Sequence, residues 1–508
     1  MKRLVGVQLK RLRLSSPATQ DGLALAGGAL LPLAFSPFDL WPLAIPLVAL
    51  LLWLWQAITP RRAAWRGGLF GIGVYTVGIS WVYISLHDYG NAPVVFAALA
   101  TALLILVMAA YPALLGYVLV RWGPRTLWLS GLLVAPALWV GLEWVRSWLF
   151  TGFPWLAIGY SQIDGPLSGL ATYFGLFGVS WAVVFSAGAL LLLIQGKRSE
   201  RLIGGLTALL LWIGAWGLGT VNWVELAGEP LRVSLVQGNI PQERKFRPEQ
   251  LENTLVRYAE LSLDVASDSD VIIWPETAIP VFFQDAQDFI QHLEVEAVNS
   301  GVDYLIGVPS GSWETEIFHN SVFSLGGEHG FYHKHRLLPF GEYLPLRWLL
   351  TFFHRLVDIP MADFTPGGTD QALLRVAGQP VGVSICFEAV FGSEIRRTLP
   401  ESRFLVNVSN DAWFGRSLAP YQHLQIARMR ALEMGRAMAR ATNTGVSAMI
   451  DERGRITAQS QLFKTQVVQG LVQPLRGTTP YVILGDGVVL LLLCVSLAVG
   501  LGLGRRFG

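Results

Sequence analysis

Seven apolar runs crowd the first 221 residues of this 508-residue chain, and an eighth closes it. They lie near 22–38, 41–58, 65–85, 93–120, 127–149, 167–194, 202–221 and 481–503. A helix needs roughly 20 predominantly apolar residues to cross a bilayer, and inside the bilayer only helices or closed barrels satisfy the backbone. The chain is therefore expected to be a multi-span α-helical membrane protein. One long stretch of mixed polarity, about 228–475, stands between the seventh and eighth runs. Hydrophobic residues make up 52% and charged residues 15%, too apolar for a soluble chain of this length. A formal charge of +2 gives no reason to expect a nucleic-acid partner.

Lysine and arginine orient the spans, because short cytoplasmic connections are enriched in them. Lys2, Arg3, Lys10, Arg11 and Arg13 precede the first run. Arg61, Arg62 and Arg66, then Arg121 and Arg125, then Lys197, Arg198 and Arg201 fill every second connection, and Arg505 and Arg506 follow the last run. The alternate connections, Ser36 to Leu40, His87 to Asn91 and Thr151 to Gly165, carry neither residue. The expectation is a membrane domain over 1–225, an extramembrane domain over 226–478 and a closing helix over 479–508. Both termini are then cytoplasmic. In a bacterial inner membrane the large domain faces the periplasm.

That domain reads as alternating strands and helices, the pattern of an α/β fold. Strands are expected at Leu231 to Gln237, Val271 to Trp274, Tyr304 to Val308, Ser321 to Leu325, Val381 to Ile385, Phe404 to Val408 and Val446 to Ile450, with helices at Pro248 to Val265, Asp285 to Val298 and Tyr421 to Ala441. Three reactive groups fall at or beside strand ends, where a rigid element fixes a side chain. Glu276 follows Val271-Ile272-Ile273-Trp274-Pro275, Lys334 follows Phe331-Tyr332-His333, and Cys386 follows Val381 to Ile385. The other cysteine, Cys494, lies in the last apolar run, so no disulfide framework is expected.

The set Trp274-Pro275-Glu276, Tyr332-His333-Lys334 and Cys386-Phe387-Glu388 resembles the Glu-Lys-Cys triad of the nitrilase, or carbon-nitrogen hydrolase, superfamily, which implies an αββα sandwich. Val236-Gln237-Gly238-Asn239-Ile240-Pro241-Gln242, Leu338-Pro339-Phe340-Gly341-Glu342-Tyr343-Leu344-Pro345 and the membrane flanks resemble its membrane-bound branch, the apolipoprotein N-acyltransferase family. That resemblance implies transfer of a fatty acyl chain from a phospholipid to the α-amino group of the S-diacylglyceryl-cysteine that begins a bacterial lipoprotein, through a thioester on Cys386. The implied partners are a phospholipid donor, a diacylated apolipoprotein acceptor and membrane lipids.

The residue chemistry suits such a reaction. A free thiol has a pKa near 8.5 and needs a base or a nearby cation to act as a nucleophile at neutral pH. Glu276 can take the proton in the first half-reaction and the proton of the incoming amine in the second. Lys334 and the backbone N–H of Phe387 are natural donors to the oxyanion. Glu342 and Glu388 resemble further acidic positions of the family and are read as orienting Lys334 or Glu276, or else as capping carboxylates. Phe387 stands where some members carry Tyr, and Phe246 where others carry Trp. Phe246, Trp348, Trp413 and Phe414 are expected to line the substrate pocket, although Asn410 and Asp411 suit an ordinary turn. A run from Leu346 to Leu356, apolar and flanked by Arg347 and Arg355, is read as a membrane-facing flap with Phe282 and Phe283 as its opposite lip.

The eight histidines are scattered, so no metal site or cofactor is expected. A membrane-tethered amidase would use the same triad with water resolving the thioester. A transporter is disfavoured because the spans carry few ionisable residues, Glu143 and Arg146 being exceptions on one helix face.

Overall fold

The computed structural model describes residues 16–339, 341–343 and 363–507. Trp348 and the Leu346 to Leu356 run lie outside the described residues. Among the described residues five helices are long and apolar enough to span a membrane: Val94–Trp122, Leu127–Arg146, Pro166–Gln195, Arg198–Leu218 and Gly487–Arg505. Pro60–Gly78 and Trp81–Tyr89 form a sixth span if their 50° bend is crossed within one. The first two apolar runs are shorter helices, Pro17–Leu30 and Trp41–Leu54.

The stretch after the seventh run folds into two six-stranded sheets. Short strands β1 (Val224–Leu226) and β14 (Leu475–Gly477) pair antiparallel where the chain enters and leaves it. One sheet has the order β13-β2-β3-β4-β5-β6, with β2 at Leu231–Gln237, β3 at Val271–Ile273, β4 at Asp303–Ser312, β5 at Ile317–Leu325, β6 at Gly330–His333 and β13 at Gln466–Val472. The other has the order β12-β11-β10-β9-β8-β7, with β7 at Leu374–Val376, β8 at Gln379–Ile385, β9 at Phe404–Ser409, β10 at Met438–Thr442, β11 at Ala448–Ile450 and β12 at Ile456–Gln459.

Val233, Leu235, Val271, Ile273 and Leu305 from one sheet meet Val383, Ile385, Val406, Val408 and Ala439 from the other in a buried inter-sheet core. Helices Pro248–Leu263 and Gln287–Ser300 cover the first sheet, and Gly392–Arg396 and Ala419–Met434 cover the second. Each is the crossover of a parallel pair, β2 to β3, β3 to β4, β8 to β9 and β9 to β10. Four layers in this order make the αββα sandwich.

The expected helix through Ala441 ends earlier. Gly435 takes the left-handed conformation at φ 60° and closes the helix at Met434, and Met438–Thr442 becomes β10 between β9 and β11. Apart from half-buried Tyr421, every residue of Ala419–Met434 is buried, because the helix lies between its sheet and the membrane helices. Gln422 accepts from Trp81 Nε1 at 3.3 Å and Trp155 Nε1 at 2.7 Å and donates to the Gly78 carbonyl at 3.1 Å. Glu433 accepts from the N–H of Leu176 at 2.5 Å, an amide freed where Gly175, at φ 61°, breaks its helix. Glu143 and Arg146, near the end of their span, serve separate partners. Glu143 accepts from Trp139 Nε1 and Ile158 N, whereas Arg146 donates to Tyr75 and the Trp155 carbonyl.

Candidate active site

Ligands and reactive groups of open α/β sheets gather at the carboxyl ends of parallel strands, and three such ends converge here. Glu276 lies just past β3, Cys386 immediately past β8 and Asn410 immediately past β9; Lys334 follows the edge strand β6. The chain at Glu276 runs against β4 so closely that a Cβ on Gly307 would sit 2.3 Å from the Pro275 carbonyl and 2.7 Å from Glu276 Cα. Only glycine lets that carboxylate approach. Cys386 itself takes φ 52°, a conformation costly for a residue with a Cβ, so the chain turns sharply from strand into a short helix, Cys386–Val390.

Glu276, Lys334 and Glu342 form one buried cluster. Lys334 Nζ lies 3.4 Å from Glu276 Oε1 and 2.9 and 2.8 Å from the two oxygens of Glu342. Asn320, on β5, binds both carboxylates through one amide nitrogen, 2.7 Å from Glu276 Oε1 and 2.8 Å from Glu342 Oε1. The other oxygen of Glu276 accepts the backbone N–H of Asn410 at 2.8 Å, and Glu342 Oε2 accepts that of Leu338 at 2.7 Å. Burial works against the charge on Lys334, but Glu342 and Glu276 outweigh it and hold the ammonium above its ordinary range.

Cys386 keeps some solvent contact amid dense protein. Burial first, and the Glu276 carboxylate next, push its thiol well above the usual range, while Lys334 opposes them. The resting group is a thiol. Two carboxylates already surround one ammonium, and a thiolate would add a third negative charge. Passing the thiol proton to Glu276 would leave the net charge of the cluster unchanged.

Glu388 makes no hydrogen bond to this cluster and instead takes backbone amides, as the capping reading expects. Its oxygens accept from Tyr332 Oη at 3.0 Å, His335 N at 2.7 Å, Arg336 N at 3.0 Å and Ile385 N at 2.7 Å. It ties the chain leaving β6, which carries Lys334, to the end of β8, which carries Cys386. Burial pushes its pKa up to about 7 against the pull of those backbone donors.

Phe387 is buried, and its ring packs edge-on against Phe391 at 5.2 Å. Phe414 packs on Trp81 at 4.8 Å and faces Trp155 and His423, at the seam with the membrane helices. Trp413 is half-buried. Phe246 is half-buried beside Lys245, whose ammonium donates to the Glu276 carbonyl at 3.1 Å and whose pKa burial lowers to about 8. Phe282 stacks with Phe318 at 4.9 Å and Phe283 meets Phe331 at 4.9 Å, so both belong to aromatic clusters of the first sheet.

Four groups escaped sequence reasoning. Asn320 has no local signal in the middle of β5. Asp411, read as part of a turn, is fully buried against Arg440 Nη2 at 2.9 Å, and Arg440 and His423 hold its carboxyl well below its usual range despite burial. His423 and Arg440 were hidden in the supposed continuous helix.

Residues 27–189 match the family model described as the apolipoprotein N-acyltransferase N-terminal domain, and residues 232–481 match the carbon-nitrogen hydrolase model. Curated relatives named apolipoprotein N-acyltransferase are 47% identical in Methylococcus capsulatus, over 91% of this chain and 92% of the relative, and 44% identical in Nitrosomonas europaea, over 94% and 96%. A third, in Azotobacter vinelandii, is 43% identical over 90% of both chains. Among solved structures, a carbon-nitrogen hydrolase superfamily protein from Xanthomonas campestris is similar over 48% of this chain and 91% of its own, at 20% identity and a TM-score of 0.35. Both halves matching in order, and relatives this similar over about nine-tenths of the length, establish that the chain belongs to the apolipoprotein N-acyltransferase family and is an acyltransferase carried by a multi-pass membrane protein.

Proposed function

We propose that this chain takes a fatty acyl group from a phospholipid and delivers it to the α-amino group of an S-diacylglyceryl-cysteine at the start of a lipoprotein, by way of a thioester on Cys386. The observation that carries this reading is the position of the thiol. Cys386 packs at once against the core between the sheets and against the core of the membrane helices. A nucleophile at that seam lies within reach of a lipid ester as well as a polar amine.

In the first half-reaction Sγ attacks the ester carbonyl carbon as its proton passes to Glu276. The carbonyl electron pair moves onto oxygen, where Lys334 Nζ and the N–H of Phe387 receive it. Collapse breaks the carbon–oxygen bond, and the departing glycerol oxygen takes the proton from Glu276, leaving a lysophospholipid and the thioester. In the second half the α-amine attacks the thioester, its proton passes to Glu276, and the thiol leaves reprotonated as the amide forms.

The catalytic domain is taken as residues 226–478, with 1–225 and 479–508 in the membrane, and the charge pattern of the connections supports a periplasmic domain with cytoplasmic termini. Protease added to spheroplasts should cut the large domain while the connection at Arg61 to Arg66 stays protected; the reverse pattern inverts the orientation. The chemical test is intact mass after incubation with phospholipid. A gain of one acyl chain that is lost on adding a diacylated lipopeptide supports the reading. An acyl chain lost equally fast without the lipopeptide points to the amidase instead, and no gain at all removes the thioester.

A further inference from the structure

A side chain with no assigned part in the reaction holds the carbonyl of the nucleophile. His423 is buried on the helix Ala419–Met434, and its Nε2 lies 3.2 Å from the Cys386 carbonyl oxygen. A carbonyl only accepts, so Nε2 carries the hydrogen. On the other side of the ring, Nδ1 lies 3.0 Å from both Arg440 Nη2 and Asp411 Oδ1. Asp411 also takes the Ser409 hydroxyl at 2.8 Å on Oδ1 and Arg440 Nη2 at 2.9 Å on Oδ2, so the ring is clamped on that side. Burial, then Arg440, keep the imidazole pKa below its ordinary value. The Nε2–H is thereby held toward the Cys386 carbonyl.

The peptide between Cys386 and Phe387 is planar. Its C=O and N–H therefore turn together, and whatever fixes the carbonyl fixes the direction of the Phe387 N–H. The first N–H groups of a helix lack an intrahelical acceptor, and on the reading above this one receives the oxyanion. The 3-10 turn that begins at Cys386 has weaker hydrogen-bond geometry than an α-helix, and its first residue sits at a strained φ of 52°. An outside restraint is needed there.

We infer that His423 is a positioning residue for acyl transfer: by binding the Cys386 carbonyl it aims the Phe387 N–H at the oxyanion. The ring is in turn packed against Trp155, with centroids 5.6 Å apart, and its neighbour Gln422 binds Trp81 and Trp155. The direction of the donor is thereby referenced to the membrane helices.

This inference rests on the thioester reading, and the test separates the two. Full-length His423→Phe, His423→Asn and His423→Gln proteins are compared with wild type in two reactions at Cys386. One is acylation by phosphatidylethanolamine in mixed micelles, followed by intact mass; the other is alkylation by iodoacetamide. Alkylation displaces iodide at a saturated carbon and develops no oxyanion. Removing an oxyanion donor outright costs about 10²–10³-fold, so misdirecting one in His423→Phe should slow acylation by about tenfold or more, while alkylation stays within about twofold. His423→Gln, whose amide N–H reaches toward the same carbonyl, should recover most of the rate, and the shorter His423→Asn should not. Wild-type acylation rates in both Phe and Asn variants overturn the inference, as does alkylation falling in step with acylation, which would mean that the thiol itself has moved. If the Phe variant does not fold, the difference between Gln and Asn decides, and equal rates in those two overturn it. A wild-type protein that gains no acyl chain refutes the underlying reading rather than the role of His423 alone.

Discussion

Replacing Glu276 with Gln should move two reactions of the same thiol in opposite directions. The Glu276 carboxylate is the largest electrostatic contribution holding the Cys386 thiol protonated, second only to burial, while Lys334 favours the thiolate. Removing one nearby like charge lowers a pKa by about 1 at the low end of such effects, which raises the thiolate fraction at fixed pH about tenfold. A less basic thiolate is also less nucleophilic, with a Brønsted coefficient of about 0.4–0.5, so iodoacetamide alkylation should quicken about threefold. Acylation should instead fall by about 10²–10⁴-fold, the contribution of a positioned general base. Gln keeps an oxygen for Asn320 and Lys334, yet turns an NH₂ toward the Asn410 N–H, costing about 1–3 kcal/mol. Thermal unfolding therefore accompanies both rate measurements. Slower alkylation in a folded Glu276→Gln protein would refute the reasoning, because it would mean that Glu276 creates a thiolate at rest instead of suppressing one.

Asn320→Ala removes two hydrogen bonds to charged groups, worth about 1.5–3 kcal/mol each, and should lower both the melting temperature and the acylation rate; Asn320→Asp, which sets a third carboxylate against Glu276 and Glu342, should be worse on both counts. Glu388 predicts a pH dependence of stability. Its pKa is about 7 folded against 4.5 ordinarily, so between those values the native state holds a proton that the unfolded chain has released. The stabilisation is full below pH 4.5 and lost as pH rises through 7, so melting temperature should fall more steeply across that window in wild type than in Glu388→Gln, and equal slopes would remove the assignment. Cys386→Ala should abolish the acyl-enzyme while Cys494→Ala, on an exposed position of the last helix, leaves its rate within about twofold; an acylated Cys386→Ala protein would sink the nucleophile.

What could be read from sequence was whatever local pattern announces. Glu276, Lys334 and Cys386 each follow an apolar run of strand length, so their rigid mounting was visible before any contact was known. The partners that tune them were not. Asn320 lies in mid-strand, and only the tertiary fold, which pairs β5 with β4 and β6, brings it to Glu276 and Glu342. The helix ending at Met434 was read through Ala441 because Met438-Ala439-Arg440-Ala441 favours helix locally, and only pairing with β9 and β11 turns it into a strand. That error concealed Arg440 as a strand residue that binds Asp411 and His423. Glu388 kept two readings in sequence, an orienting carboxylate or a cap, because only the fold shows that its hydrogen bonds join two strand ends.

The helix Ala419–Met434 explains why this site cannot be treated as a detachable domain. A helix flanking a sheet ordinarily buries one face and shows water a polar one. Here the polar residues are buried too, and they work in both directions. Gln422 and Glu433 bind the membrane helices; His423 binds the Cys386 carbonyl. Buried amides and carboxylates hold their partners because leaving either unpaired costs about 1–3 kcal/mol or more. Displacing the membrane helices would therefore disturb Gln422 and, one residue along the same rigid turn, the ring that touches Cys386. On the proposed reading the membrane helices help to set the geometry of the reaction, and acyl transfer should respond to changes at Trp81 and Trp155, the partners of Gln422.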